Sequence, residues 1–187
     1  MLKKETRVIG IDDSPFDKKV KGETLVIGTI FRGGSSLDGI VSTKVHIDGD
    51  NATERIIDMI HKCKWKSQLQ CIFLDGIAFG GFNIIDIHEV NKKTNLPVIV
   101  VIRHMPDRGN IMKTLKKIGM DEKIKLIEQA GEVKKVNSVF IQHAGIDVKG
   151  AKDFLKLCCT HSLIPEPVRV SHMIASGILL GESKGRV

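Results

Sequence analysis

Arg7-Val8-Ile9-Gly10-Ile11 is a short, largely β-branched run that passes directly into two carboxylates, Asp12 and Asp13, and then Ser14-Pro15. Such residues favour strands, and side chains alternate along a strand. Gly10 and Asp12 therefore share one face, and Ile9, Ile11 and Asp13 the other. A charged connection, Phe16 to Glu23, leads to a second apolar run, Thr24 to Phe31, which ends at Arg32-Gly33-Gly34. The connection is short enough for an antiparallel hairpin. Gly39 to Ile47 then alternates apolar with polar, the pattern of a half-buried strand, so the three runs predict an antiparallel meander. It closes on Asp48-Gly49-Asp50-Asn51. Asn51 and Glu54 have the spacing of a capping box, opening a helix with Ile56, Ile57, Met59 and Ile60 on one face.

From Gln70 the pattern changes to strand, helix, strand. Gln70 to Leu74 is mostly apolar and ends on Asp75, Gly76 to Asn83 is a glycine-rich turn, and a helix is predicted from about Ile84. Leu96 to Ile102 is a continuous apolar run that suits a central strand covered on both faces, reached by a right-handed crossover. Further helices are predicted at Arg108–Gly119, Glu122–Ala130 and Val148–Cys159, with an edge strand over Val136–Gln142. Pro165 and Pro167 should break the chain before a closing helix at Val168–Leu180. The fold class is α/β: a mixed sheet in which a three-strand antiparallel meander is followed by parallel β-α-β strands, with helices on both faces. No internal repeat is present, and 187 residues suit a single domain over 1–187.

Charge adds a partner class. The chain has 29 Lys plus Arg against 22 Asp plus Glu, a net charge of +7, which favours polyanions and nucleic acid first. Aromatic residues are only 4% and Tyr is absent, which argues against a broad stacking platform for single-stranded bases. Cys63, Cys71, Cys158 and Cys159 lack a paired C-x-x-C spacing and read as reduced thiols; adjacent Cys158 and Cys159 with His161 make a poor zinc set. The amino terminus has no apolar core of a signal peptide, and the run from Leu96 to Ile102 is too short to span a bilayer. A soluble, cytoplasmic protein with no membrane partner is expected.

Burying a carboxylate is costly unless something pairs with it, so strand ends that deliver Asp12, Asp48 and Asp75 towards one point call for a cation. They meet if the first and fourth strands are neighbours. Oxygen donors suit Mg²⁺ or Mn²⁺ rather than zinc, and such an ion stabilises charge on a phosphodiester during in-line displacement. Arg103, at the end of the next strand, is placed to clamp a phosphate. His172, among apolar neighbours on the last helix, is the candidate imidazole.

The motifs resemble the endonuclease V superfamily within the ribonuclease H-like fold, and most closely its archaeal relatives, the endonuclease dU family. The resemblance rests on Gly10 to Phe16, Phe31 to Gly34, Ile47 to Thr53, Leu74 to Asn83, Leu96 to Val101 and the tail from Pro165 to Gly185, nearly the whole chain. It implies that Asp12 is the first catalytic aspartate, Asp75 the second, and Asp48 the nearest match to the superfamily's strand-end glutamate. Asp12, Asp48 and Asp75 would then ligate Mg²⁺ or Mn²⁺, Arg103 would take the place of an active-site lysine, and His172 that of a carboxy-terminal histidine. The implied activity is an endonuclease that nicks DNA, or RNA, at or near damaged or deaminated bases such as deoxyuridine, in DNA repair, leaving 3′-hydroxyl and 5′-phosphate ends. The nucleotide would be flipped into the loop carrying Gly76, Phe79, Gly80, Gly81, Phe82 and Asn83, with Arg32 a further nucleic-acid contact. Where the superfamily has a Pro-Tyr-x-Pro-Gly wedge, this chain has Ser35-Ser36-Leu37-Asp38-Gly39. Rival classes are a nucleic-acid-binding module that keeps the fold without hydrolysis, and a phosphate-binding regulator using Gly80-Gly81 as an anion nest. The Asp12, Asp48, Asp75 set favours hydrolysis.

Overall fold

The computed structural model describes residues 2–17 and 21–183; residues 18–20 of the charged connection and 184–185 of the quoted tail lie outside the described residues. The predicted meander forms as β1 (Arg7–Asp13), β2 (Glu23–Arg32) and β3 (Ser36–His46), each antiparallel to the next. β4 (Leu69–Asp75) lies beside β1, parallel to it, and β7 (Val98–Ile102) is parallel to β4. The sheet order is β3-β2-β1-β4-β7, followed by β9 (Val139–Ala144) and β8 (Lys134–Val136). First and fourth strands are therefore neighbours, the condition on which the carboxylate site depends.

Helices cover both faces because the strands carry apolar side chains on both. Ile9, Ile11, Ile72 and Val100 pack under α1 (Ala52–Lys62) and α2 (Ile87–Thr94). Val8, Phe73, Val101 and Ile141 pack on the other face with Phe154 of α5 (Val148–Cys158) and Val168 of α6 (Glu166–Leu180). A smaller cluster around Leu115 and Ile127 joins α3 (Arg108–Lys117) to α4 (Ile124–Gln129). Among the described residues no helix is long and apolar enough to cross a membrane.

Local details differ from the sequence pattern for identifiable reasons. The expected edge strand is a hairpin, β8 (Lys134–Val136) and β9 (Val139–Ala144), turned by Asn137 at φ 55; asparagine tolerates this left-handed conformation in two-residue turns. β9 pairs with β7, and β8 takes the edge. The helix expected from Ile84 begins at Ile87, because Ala78–Phe79 (β5) and Asn83–Ile84 (β6) pair with each other, and Asp86 caps α2 by accepting from His88 and Glu89 N–H. The capping box does not form. Asn51 Oδ1 accepts from the His46 N–H at 3.0 Å and from Asn83 Nδ2 at 2.9 Å, and Asn83 Oδ1 in turn accepts the Ala52 N–H at the start of α1. Nor do the prolines stop α6. Pro165 is its N-cap and Pro167 lies in its first turn, where the missing N–H has no intrahelical partner to lose.

α6 sits directly on β1. A Cβ at Gly10 would collide with the Pro167 carbonyl group and the Val168 nitrogen. Ser171 Oγ donates to the Gly10 carbonyl at 2.6 Å, and Thr29 Oγ1 donates to the Pro167 carbonyl at 2.6 Å. Gly10→Ala should therefore destabilise the protein by about 3 kcal/mol, the upper part of the range for a methyl forced into a packed interior, because backbone cannot swing aside as a side chain can. Urea unfolding measures it, and an unchanged midpoint would contradict the close approach.

Candidate active site

Register builds the site. Ile11 pairs with Leu74, so Asp12 and Asp75 follow side by side on parallel strands, and Asp75 pairs with Val101, two residues before Arg103. Alternation then puts Asp12, Asp75 and Arg103 on the face covered by α6, in line with Gly10, Phe73 and Val101. α6 contributes His172, whose Nδ1 lies 2.8 Å from Asp12 Oδ2. Arg103 Nη2 donates to Asp75 Oδ2 at 3.1 Å, while its buried Nε has no partner among the described residues. Asp12, Asp75 and His172 each offer one ligand atom, and these atoms lie within 4.8 Å of one another.

Burial and the Asp12 charge push the Asp75 carboxyl up to about 6, against the opposing pull of Arg103 and His172. The hydrogen bond to Asp12 raises the His172 imidazole above its ordinary value, with burial working the other way. Asp13 points to the opposite face from Asp12. Burial first, then the Asp12 charge, raises it to about 7, although its Oδ2 accepts the Gly80 N–H at 2.9 Å. Carboxylates that resist ionisation this close together are relieved by a dication, and two carboxylates with one imidazole are a candidate set for a divalent metal.

The metal-free protein carries a pH-dependent penalty at Asp13. Asp13 binds its proton more tightly folded than unfolded, so stability falls as pH rises from about 4 to about 7 and is level above that. Asp13→Asn keeps an acceptor for Gly80 and removes this loss. In EDTA the variant should melt higher than wild type at pH 8 and equally at pH 4; an identical difference at both would contradict the assignment.

The structure does not bring Asp48, expected as the third ligand, into the Asp12, Asp75 and His172 group. β3 ends at His46, and Asp48 sits in the following turn at φ 55. Its Oδ1 accepts the Phe82 N–H at 2.8 Å, and a Cβ on Gly81, at φ 88, would run into that oxygen. Lys123, with its side chain 5% exposed, fixes the turn by donating to the Asp48 and Gly49 carbonyls at 2.8 Å each and pairing with Asp50. Asp48 thus shapes the glycine loop. Of the Gly80-Gly81 pair, the Gly80 amide is already taken by Asp13, as is the following Phe82 amide by Asp48.

The remaining expected nucleic-acid contacts divide. Phe79 is in the core and Asn83 is the fully buried brace between α1 and the His46 turn. Gly76 and Phe82, with Ile77 and Ala78, line a cavity of about 220 Å³. Arg32 lies opposite Arg7, at the far end of β1 from Asp12, held by Glu5 and Asp38. Asp38 also pairs with Arg7, so the segment aligned with the superfamily's wedge is pinned at that remote end. Cys158, Cys159 and His161 form no metal-ligating group among the described residues. Strand alternation alone does not bring Asp13 to the site, although the double aspartate at the strand end is its visible signal.

Residues 4–179 match the family model for Endonuclease dU. The chain belongs to the endonuclease dU family. This family member is 47% identical to a UPF0215 protein of Methanothermobacter thermautotrophicus, over 98% of this chain and 93% of that one. It superposes on the crystal structure of a protein of unknown function from Archaeoglobus fulgidus with a TM-score of 0.86 and 38% identity, covering 92% of this chain and 97% of that chain. Endonuclease V of Ciona intestinalis, in complex with DNA containing an inosine followed by a ribo-adenosine, shares the ribonuclease H-like fold, with a TM-score of 0.61, 15% identity and coverage of 94% and 86%.

Proposed function

We propose that this endonuclease dU family member is a Mg²⁺- or Mn²⁺-dependent endonuclease that nicks DNA at or beside a deaminated base, deoxyuridine among them, and serves DNA repair. The observation that carries the reading is the convergence of Asp12, Asp75 and His172 within 4.8 Å, with Arg103 alongside. Asp12, Asp75 and His172 would hold a divalent ion, which would supply Lewis-acid stabilisation of charge on the phosphodiester. Arg103 offers a guanidinium held beside Asp75, a charge suited to a phosphate oxygen. His172 is oriented by the Asp12 carboxylate, 2.8 Å from its Nδ1. The cavity beyond Gly76 gives a flipped nucleotide somewhere to go.

The test is a supercoiled, uracil-containing plasmid incubated with Mn²⁺ or with EDTA: nicking in the first alone supports the reading, and none in either removes it. Binding carries a separate expectation. With a net charge of +7, affinity for DNA should fall log-linearly with salt, each neutralised phosphate contributing about 0.9 to the slope. A flat response in a fluorescence-anisotropy titration would point to a small uncharged ligand.

A further inference from the structure

The cavity opens at the same strand ends as the site, on the other face of the sheet from Asp75 and Arg103. Gly76 follows Asp75, Ile102 precedes Arg103, and both line it. Its volume is about 220 Å³ and its walls are chiefly Ile77, Phe82, Ile84, Ile111 and Ile127. Only two polar side chains join them, Arg108 and Gln142. Arg108 spends its guanidinium on the Gly131 and Ile127 carbonyls, at 3.3 and 3.0 Å. Gln142, on β9 and 3% exposed, donates Nε2 to the same Gly131 carbonyl at 3.0 Å. That bond fixes which way round the carboxamide sits. Its Oε1 accepts no hydrogen bond among the described residues. Gln142 Oε1 is not among the fully buried atoms that lack a partner, so it is open to whatever enters the cavity, and an entering N–H satisfies it where a second acceptor would not.

We propose that this cavity receives the flipped base and that Gln142 Oε1 is its specificity-determining contact, selecting bases with a ring N–H on the pairing edge. Uracil has that donor at N3 and hypoxanthine at N1. Cytosine and adenine present a lone pair at the same positions, so two acceptors would face each other across a water-poor contact, which a hydrogen-bonding site rejects strongly. Deamination converts the acceptor into the donor, so one fixed oxygen distinguishes the damaged base from its parent. Thymine and guanine share the N–H and are held back in duplex DNA by stable pairing, whereas a mispaired uracil leaves the stack more easily. The inference rests on the nucleic-acid reading above but not on hydrolysis.

Equilibrium binding in Ca²⁺ tests it, using fluorescein-labelled single strands of adenine and cytosine only, with one position either uracil or cytosine. Wild type should prefer the uracil strand by about tenfold, the worth of one good hydrogen bond. Gln142→Leu, close to isosteric and leaving Arg108 on the Gly131 carbonyl, should bring the ratio close to one without weakening binding of the cytosine strand. Ile111→Phe fills the cavity from the opposite wall with Gln142 intact and should also erase the preference, so it decides the matter if the first variant does not fold. Equal binding of both strands by wild type, or a preference that survives these substitutions, would overturn the proposal. Uracil-selective binding without nicking in Mn²⁺ would leave it standing and remove hydrolysis, whereas nicking with no base preference would do the reverse.

Discussion

Asp75→Asn is expected to abolish metal-dependent cleavage, a loss of at least about 10³-fold, while leaving the metal-free protein as stable as wild type or more so. The activity loss follows from removing an anionic oxygen from a three-ligand set, where electrostatic stabilisation of the phosphodiester is concentrated. The stability gain follows from the carboxyl itself. Burial and Asp12 raise it to about 6, so at pH 8 the folded protein holds an ionised group it disfavours, and the amide removes that penalty while still accepting from Arg103. Metal reverses the order. Mn²⁺ should raise the melting temperature of wild type by mass action on the folded state and do little for the variant. Asp12→Asn should lose activity similarly and in addition leave His172 with a neutral partner. Full activity in both variants would place the metal elsewhere; a wild-type melting temperature indifferent to Mn²⁺ would contradict metal binding without reference to turnover.

Arg103→Ala should lower single-turnover cleavage by on the order of 10²-fold, as loss of a preorganised electrostatic partner does, and weaken DNA binding far less. Many other cations share the ground-state load. Arg103 also acts on Asp75, holding its carboxyl down, so its loss raises that group further and moves the acid limb of the pH–rate profile upward. Measuring at pH 8, where Asp75 is ionised in wild type, separates the direct effect from the indirect one. Arg103→Lys restores the charge but not the fork, and should recover part of the rate if position matters more than bidentate geometry. Equal losses in rate and affinity for Arg103→Ala would make it one more backbone contact, and no loss in either would place it outside the site.

What was legible in the sequence was whatever strand periodicity controls. Asp12, Asp75 and Arg103 sit at or just past the ends of apolar runs, so once β1, β4 and β7 lie side by side their faces are determined. His172 was legible as an imidazole among apolar neighbours on the last helix, though its alignment with Asp12 depends on the collision-limited seat of α6 on Gly10. Asp48 was not, because a residue in a left-handed turn takes its direction from the turn and not from the strand before it. Its carboxylate is spent on the Phe82 amide, a partner 34 residues away in sequence. Arg32 belongs to a strand that runs antiparallel to β1, so its end lies by Arg7 at the remote end of the sheet. Asn83 replaced a local helix cap with a long-range one, and Gln142 gained its interest only from the cavity it faces; neither has a signature in spacing.

The central claim, that the Asp12, Asp75 and His172 group forms the centre of a base-directed, metal-dependent nuclease, is tested most directly by incubating the purified protein on end-labelled oligonucleotides that carry uracil, inosine, an abasic site or no lesion, with Mn²⁺ and with EDTA. The expected result is a single nick at or beside the uracil or inosine in Mn²⁺, leaving 3′-hydroxyl and 5′-phosphate ends, with none in EDTA, on the undamaged strand, or from Asp75→Asn. Cleavage by wild type that persists in EDTA, or no cleavage of any substrate in Mn²⁺, would contradict it.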